Sequence, residues 1–236
     1  PKMYYDNNFS ATLNLLNTLD IRRIKKFVFA ASSSCYGIAK TPTSESHKVD
    51  PQYPYAQSKY FAEQLCLHWH KVYKLPVNSL RIFNAYGPRS RTSGAYGAVI
   101  GVFMRQLIAK KPFTVVGDGK QKRDFLFVSD LAEAFFKATV TKKSGKIWNL
   151  GSSSPQSINK LCRILGSNKK VKMPIRPGEP NVTHANITKI SKDLNWKPKI
   201  RFEEGIKIVK QNKKYWLNKS AFSYYSWGSS CMVFYA

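Results

Sequence analysis

The order of elements between residues 26 and 89 most constrains the fold of this chain. The apolar run 26–31 leads directly into Ser32-Ser33-Ser34-Cys35-Tyr36-Gly37. Hydroxyl residues at the carboxyl end of a buried parallel strand lie where open α/β sheets bind their ligands. After a helical segment, a second predicted strand at 76–83 ends in the polar loop 84–89. This order predicts a parallel sheet with its ligand chemistry at the strand ends, and a serine-rich turn without function is the alternative.

A tyrosine and a lysine lie four positions apart between these two strands. Residues 50–54 form a stop-and-turn segment, and residues 55–73 contain neither Gly nor Pro and repeat apolar positions. Tyr55 is therefore predicted in the first helical turn, with Lys59 on the same face. A nearby ammonium group favours the phenolate and lowers the tyrosine pKa from its ordinary value of about 10. The pair predicts a general base or acid, although most Tyr and Lys at this spacing are only surface neighbours.

The remaining periodicity predicts an α/β fold, with parallel strands and with helices on both faces of the sheet. The predicted strands lie near 25–30, 77–83, 113–116 and 146–150. The predicted helices lie near 7–20, 54–73, 97–110, 129–139, 157–165 and 203–217. From Ser220 onward the sequence has no charge and no clear period, so it predicts either a terminal strand or an aberrant end without function.

Six motifs in order resemble the extended short-chain dehydrogenase/reductase family, and within it the NAD-dependent nucleotide-sugar epimerases typified by UDP-glucose 4-epimerase. They extend from about residue 1 to residue 217. The motifs are residues 32–37, Tyr55 to Lys59, residues 81–88, residues 116–119 with 123–125, residues 149–152 and residues 176–180.

The resemblance implies a Rossmann-like doubly wound parallel sheet and a smaller carboxyl-terminal substrate domain. Residues 1–83, with part of 113–150, would belong to the NAD-binding domain, 84–217 mainly to the nucleotide-sugar region, and 218–236 to a tail. No Gly-x-x-Gly-x-x-Gly pattern occurs, and the chain begins with Pro1. We therefore expect an amino-terminally truncated fragment that lacks the first half of the sheet; a natural short protein that binds no dinucleotide is the alternative.

The same resemblance assigns roles to individual residues. It implies catalytic roles for Ser32, Tyr55 and Lys59, and cofactor contacts from Asn7, Ser32, Tyr55, Lys59 and Phe83. It implies that Asn84, Arg123 and Arg176 bind the diphosphate of the substrate, for which guanidinium groups have suitable geometry. For the arginines the alternative is a surface ion pair, Arg123 with adjacent acids and Arg176 with Glu179.

The resemblance also separates the reactions of the family. Dehydratases carry an Asp-Glu pair after the hydroxyl residue and decarboxylating members carry a Glu, whereas this chain has Ser33 and Ser34. This difference favours 4-epimerisation over 4,6-dehydration. A dehydratase or reductase of the same family stays as the alternative.

The net charge of +26 and the pI near 10 suggest an alternative function that is not enzymatic. Both values suit a basic nucleic-acid-binding module. The lysines are scattered, however, and no nucleic-acid-binding motif accompanies them. A lysine-rich solvated surface is favoured, and we expect no nucleic-acid partner.

The four cysteines are widely separated and the histidines form no ligand pair, so we expect neither disulfides nor a metal. The sequence shows no membrane span and no signal peptide, although a missing amino terminus would hide one. We expect a cytoplasmic protein, and the resemblance implies a homodimer.

Overall fold

The computed structural model describes residues 1–90, 99–166, 169–175 and 177–217, together with the backbone of 232–235. The α-helices are α1 (Lys2–Tyr5), α2 (Ala11–Thr18), α3 (Pro54–Tyr73), α4 (Val99–Ile108), α5 (Val128–Val140), α6 (Ile158–Leu165), α7 (Thr188–Leu194), α8 (Phe202–Gln211) and α9 (Lys214–Leu217). The strands are β1 (Lys26–Ser32), β2 (Val77–Ile82), β3 (Asn84–Tyr86), β4 (Phe113–Val116), β5 (Lys122–Arg123), β6 (Phe125–Phe127), β7 (Lys146–Leu150), β8 (Gln156–Ser157), β9 (Lys170–Met173) and β10 (Met232–Tyr235).

The main sheet has the strand order β10-β1-β2-β7. Strands β1, β2 and β7 are parallel, as predicted, and their registers place Ser32 beside Ile82 and Ile82 beside Leu150. The carboxyl ends of all three strands therefore lie at one edge of the sheet. Strand β10 lies in the segment after Ser220, for which a terminal strand was one of the two alternatives. It pairs with β1 in the antiparallel direction, a pairing that the sequence did not predict.

Strand β1 explains why helices cover both faces of this sheet. Successive side chains of a strand point to opposite faces. Phe27 and Phe29 pack in a cluster that also contains residues of α2 and α3, whereas Val28 and Ala30 pack in a cluster with residues of α5 and α7. All four side chains are buried, so β1 is an apolar run and not an alternating one.

Helix α3 begins and ends at the residues that its sequence specifies. Pro54 occupies the first turn, where a missing N–H costs no hydrogen bond. Lys74 ends the helix in the left-handed conformation, with φ of 62°. The 20 residues of this helix run along the β1 and β2 side of the sheet and present Tyr55 at the end where the strands terminate.

A separate apolar cluster lies beyond the main sheet and contains residues of α4, α6 and α8 with the short strands β4 and β6. Strand β3 continues from β2 and pairs with β6, while β4 pairs with β9. The predicted strand at 113–116 is present, but it pairs with β9 and lies outside the main sheet. These elements place Asn84 and Arg123 next to the carboxyl ends of the main strands.

Several short elements were absent from the sequence prediction. The segment 6–10 forms a π-helical turn between α1 and α2, residues 33–36 form a 3₁₀ turn, and α7 was not predicted. Among the described residues, no helix combines the length and apolarity needed to cross a bilayer. The described residues also bring together no group of three His, Cys, Asp or Glu side chains suited to a metal ion.

Candidate active site

Tyr55 lies in the first turn of α3, where the sequence placed it, and its side chain is half-buried. Lys59 follows one turn later and is only 2% exposed. Its Nζ lies 4.6 Å from the centroid of the Phe29 ring, so the ammonium group is held between the helix and β1. A cation with so little access to water acts more strongly on neighbouring groups than one in solvent. The arrangement suits a phenol that loses and regains a proton.

The Ser32 hydroxyl ends β1 at the same edge of the sheet. Its Oγ accepts hydrogen bonds from the Ser34 backbone N–H, at 3.2 Å, and from the Ser34 hydroxyl, at 2.8 Å. Ser32 therefore caps the 3₁₀ turn of residues 33–36. A serine that accepts two hydrogen bonds still carries one O–H that can donate.

Gly37 ends this turn and fixes the path of the chain after it. Its φ is +61°, and a Cβ built there would lie 2.2 Å from the carbonyl oxygen of Asp50. The Asp50 N–H also donates to the carbonyl of Cys35, at 2.8 Å. The turn that carries Ser32 and the segment that leads into α3 are therefore in direct contact, and only glycine fits where they meet.

A buried ion pair holds α3 on the sheet beneath this edge. Glu63 of α3 and Arg81 of β2 are 1% and 3% exposed, with Nη2 and Oε2 2.6 Å apart. Ser79 donates to the same carboxylate, and Arg81 donates to the Tyr36 hydroxyl at 3.0 Å. Burial disfavours the guanidinium charge, but hydrogen bonds and attraction from Glu63 outweigh it and raise the pKa of Arg81.

This ion pair was not predicted from the sequence, although the sequence carries a signal for it. Glu63 follows Tyr55 and Lys59 at intervals of four residues, and so lies on the same helical face. Arg81 interrupts a strand that is otherwise free of charge. A charge in a buried strand needs a partner, and the helical spacing pointed to Glu63.

The asparagines near the amino terminus differ in placement. Asn7 is exposed, and its amide donates to the carbonyl of Met3 at 2.8 Å. Asn8 is buried, and its amide donates to the Ser58 hydroxyl at 2.9 Å. The Ser58 hydroxyl in turn donates to the Tyr55 carbonyl, also at 2.9 Å. The role of Asn7 stays a prediction, while Asn8 is the one linked to the start of α3.

Arg123 and Asn84 lie on the other side of the strand ends. Arg123 is mostly buried and pairs with Glu179, with Nη2 and Oε2 3.2 Å apart, and it donates to the Pro180 carbonyl at 2.9 Å. Burial lowers the pKa of Arg123, while Glu179 and Tyr53 act in the opposite direction. The partner of Arg123 is thus Glu179 and not an adjacent acid, contrary to the alternative that we stated.

The neighbouring acid, Asp124, has a different role. Its buried carboxylate accepts from the backbone N–H groups of Ser152 and Ala185, at 2.6 and 2.8 Å, and ties the loop after β7 to the segment around residue 185. Asn84 accepts from the Thr183 hydroxyl at 3.0 Å. Arg176, the second predicted diphosphate ligand, lies outside the described residues.

The side chains at the strand ends provide hydrogen-bond donors suited to one end of a dinucleotide. Ser32 and Tyr55 supply hydroxyls and Lys59 supplies an ammonium group, which suit the ribose and carboxamide of a nicotinamide nucleoside. Phe83 continues β2 at this edge, where its N–H donates to the Leu150 carbonyl at 2.9 Å. These residues fit the nicotinamide end of NAD. The 236 residues contain no glycine-rich turn of the kind that binds the pyrophosphate.

Comparisons with known proteins find matches over most of the chain. The family model described as NAD dependent epimerase/dehydratase family matches residues 1–151, which is more than half of the chain. The UDP-glucuronate 4-epimerase of Thermodesulfobacterium geofontis is 37% identical over 214 residues. That alignment covers 88% of this chain and 65% of the relative, so the chain spans about two thirds of the relative's length.

Two solved structures have similar folds. The UDP-glucuronic acid 4-epimerase of Bacillus cereus, in complex with UDP-glucuronic acid and NAD, aligns with a TM-score of 0.81 and 31% identity, covering 88% of this chain and 67% of that one. The UDP-glucose 4-epimerase of Thermotoga maritima, with UDP-glucose, aligns with a TM-score of 0.83 and 28% identity, covering 91% and 71%.

Proposed function

The chain belongs to the NAD-dependent epimerase/dehydratase family, and from that premise we propose that it carries the catalytic residues of a nucleotide-sugar 4-epimerase. The observation that carries this proposal is the half-buried Tyr55 one helical turn from the buried Lys59, beside the Ser32 end of β1. The alternative of a nucleic-acid-binding module has no support among the relatives.

In the proposed reaction, residues of this chain remove one proton from the substrate and later return it. Tyr55, as phenolate, takes the proton of the sugar 4-hydroxyl, and Lys59 stabilises that phenolate. Ser32 donates its O–H to the same sugar oxygen and helps to transfer the proton. Tyr55 then returns the proton after the sugar has turned over, so the enzyme ends in its starting protonation state.

The cofactor in this proposal is NAD, which would supply reversible acceptance of a hydride from C4 of the sugar. Ser32, Tyr55 and Lys59 would hold its nicotinamide end, together with Phe83 and Asn7. Two of the similar proteins are described with UDP-sugars, one of them also with NAD. We therefore propose a UDP-hexose or UDP-hexuronic acid as substrate.

The diphosphate of this substrate would bind on the opposite side, at Arg123 and Asn84, with Arg176 as a further ligand. Arg123 already binds a carboxylate, that of Glu179, so its guanidinium is oriented for an oxyanion. Anchoring at the diphosphate leaves the sugar free to turn over.

Epimerisation is proposed rather than dehydration because of the turn after Ser32. Removal of a sugar 6-hydroxyl needs an acid for the leaving group and a base for the C5 proton. Ser33 and Ser34 supply neither, and the Ser34 hydroxyl donates to Ser32. This turn therefore supports proton transfer at C4 only.

We propose a homodimer formed through the outer surface of the 6–10 turn and α3. Phe9 and Phe61 pack edge to face there, and Phe61 is 41% exposed beside a groove that Leu65 and His68 also line. An exposed aromatic pair of this kind is typical of an interaction surface. Phe61→Glu should convert the dimer to a monomer in sedimentation velocity, whereas Phe136→Glu, on exposed α5 surface, should leave it unchanged.

A cytoplasmic location belongs to the same proposal. Cys35, Cys66 and Cys162 are free and buried, as in a protein kept in a reducing compartment. Cys231 lies outside the described residues.

The test uses the complete gene product that contains these residues, incubated with NAD and either UDP-glucose or UDP-glucuronic acid. We expect the 4-epimer at an equilibrium mixture, with unchanged mass and no net NADH. A product lighter by about 18 Da, the mass of one water lost in the elimination just described, would support the dehydratase alternative. Absence of any conversion of either substrate would contradict the proposed function.

A further inference from the structure

Tyr53, the residue that precedes α3, is unsuited to its position in the helix. It occupies the N-cap, with extended backbone angles of −156° and 161°, and its side chain makes no capping hydrogen bond. Ser, Thr, Asp and Asn are preferred at this position because their side chains accept from the first N–H groups of the helix. Tyr53 lacks the side chain preferred at its position and lies beside a candidate site. Such a residue is expected to have a role in that site.

The Tyr53 ring lies beside the proposed base. Its centroid is 6.5 Å from that of the Tyr55 ring, and the two planes differ by only 11°. Tyr4 approaches Tyr55 edge-on, with centroids 5.8 Å apart. The Tyr55 ring therefore lies beside two other aromatic rings. Together, the rings of Tyr53 and Tyr55 form a continuous aromatic surface.

Tyr53 is also close to the candidate anion site. Its phenol interacts electrostatically with the Arg123 guanidinium, in addition to Glu179. The preceding residue, Gln52, packs near Gly178, where a Cβ built on the glycine would lie 3.3 Å from the Gln52 Cβ. The segment 52–53 therefore contacts the same 177–180 segment that binds Arg123.

We propose that the Tyr53 ring forms the wall on which the sugar of the nucleotide-sugar packs between Arg123 and Tyr55. This inference rests on the proposed function. A substrate with its diphosphate at Arg123 and its 4-hydroxyl at Tyr55 passes along Tyr53, because that ring neighbours both residues. The C–H groups of a pyranose present an apolar surface that suits an aromatic ring. Tyr53 is thus a specificity residue for the sugar and not for the nucleotide.

The test is Tyr53→Ser in the complete gene product, with dissociation constants for the UDP-sugar and for UDP measured by calorimetry. Serine is a preferred N-cap residue, so the variant should keep α3 intact. Loss of the ring should weaken the UDP-sugar roughly tenfold, the scale expected for one aromatic contact. UDP, which carries no sugar, should bind within about twofold of wild type, a difference of under half a kcal/mol. KM should rise, and kcat should fall as the sugar is less well placed.

Two further variants sharpen the result. Tyr53→Phe keeps the ring and should retain most of the affinity for the UDP-sugar. Tyr73→Ser changes an exposed tyrosine at the far end of α3 and should behave as wild type.

Equal weakening of UDP and UDP-sugar binding in Tyr53→Ser would overturn the proposal, because Tyr53 would then act on the diphosphate. Unchanged binding of both would overturn it as well. If the wild-type protein neither binds the UDP-sugar in calorimetry nor converts it in the kinetic assay, that result would instead contradict the proposed function.

Discussion

The two sides of the candidate site are built in different ways. The Tyr55 side rests on a 20-residue helix that is fixed to the sheet by a fully buried ion pair, Glu63 with Arg81. The Arg123 side rests on the two-residue strands β5 and β8 and on a segment held by side-chain and carbonyl contacts to Glu179 and Pro180. The proton-transfer side is therefore rigid before substrate arrives, whereas the anion-binding side depends on contacts that an incoming diphosphate would compete for.

The largest expected effect tests the chemistry of the rigid side. Tyr55→Phe removes the base and should reduce kcat by about 10²–10⁴, the usual range for a positioned general base. The affinity for UDP should stay close to that of wild type, since the diphosphate binds elsewhere. Steady-state kinetics and calorimetry measure the two quantities. Tyr73→Phe is the matched control, and turnover of Tyr55→Phe near the control value would exclude Tyr55 as the base.

The next largest expected effect tests whether the Glu63–Arg81 ion pair fixes α3 on the sheet. Arg81→Met leaves the Glu63 carboxylate buried without its cation and should lower the unfolding free energy by about 3–5 kcal/mol. The double variant Glu63→Leu with Arg81→Met removes both charges and should recover most of that loss. Urea unfolding followed by circular dichroism measures both. A single variant as stable as wild type would show that the pair does not fix α3 on the sheet.

Arg123 provides the contrasting measurement on the other side. Arg123→Gln removes a charged hydrogen-bond donor and should weaken UDP by roughly 10–100-fold, from about 1.5–3 kcal/mol per charged hydrogen bond. Its unfolding free energy should fall by less than that of Arg81→Met, because Glu179 is about a quarter exposed and water can solvate it. If Arg123→Gln destabilised the fold as much as Arg81→Met, the two sides would not differ as described.

The smallest expected effect is on the unfolding free energy, and it should differ between the adjacent residues Asn7 and Asn8. Asn8→Ala removes a buried hydrogen bond to Ser58 and should cost about 1–2 kcal/mol of unfolding free energy. Asn7→Ala, at an exposed position, should change it by less than about 0.5 kcal/mol. Thermal and urea unfolding compare the two. Equal losses would mean that the π-helical turn does not direct Asn8 towards α3 as the structure shows.

The sequence predicted the parts of the fold in which one residue pattern determines one element. The apolar run of β1, the Gly-free and Pro-free length of α3 and the parallel order of the main strands were all confirmed. The position of Tyr55 in the first turn followed from Pro54 and from the turn before it.

The rest of the site depends on contacts between distant segments. Arg123 pairs with Glu179, 56 positions away, and no local pattern selects that acid over the adjacent Asp124. The burial of Asn8 depends on a π-helical turn, which has no reliable sequence pattern. Helix α7 is only seven residues long and carries few apolar positions, so its periodicity was too short to detect.

In the proposed reaction, C4 of the sugar is oxidised and reduced again within one active site. The most direct test incubates the complete gene product with NAD and UDP-glucose or UDP-glucuronic acid that carries deuterium at C4. We predict that the 4-epimer retains the deuterium at C4 and the mass of the substrate, measured by proton NMR and mass spectrometry. Exchange of that deuterium with solvent, or a product lighter by one water, would contradict the account.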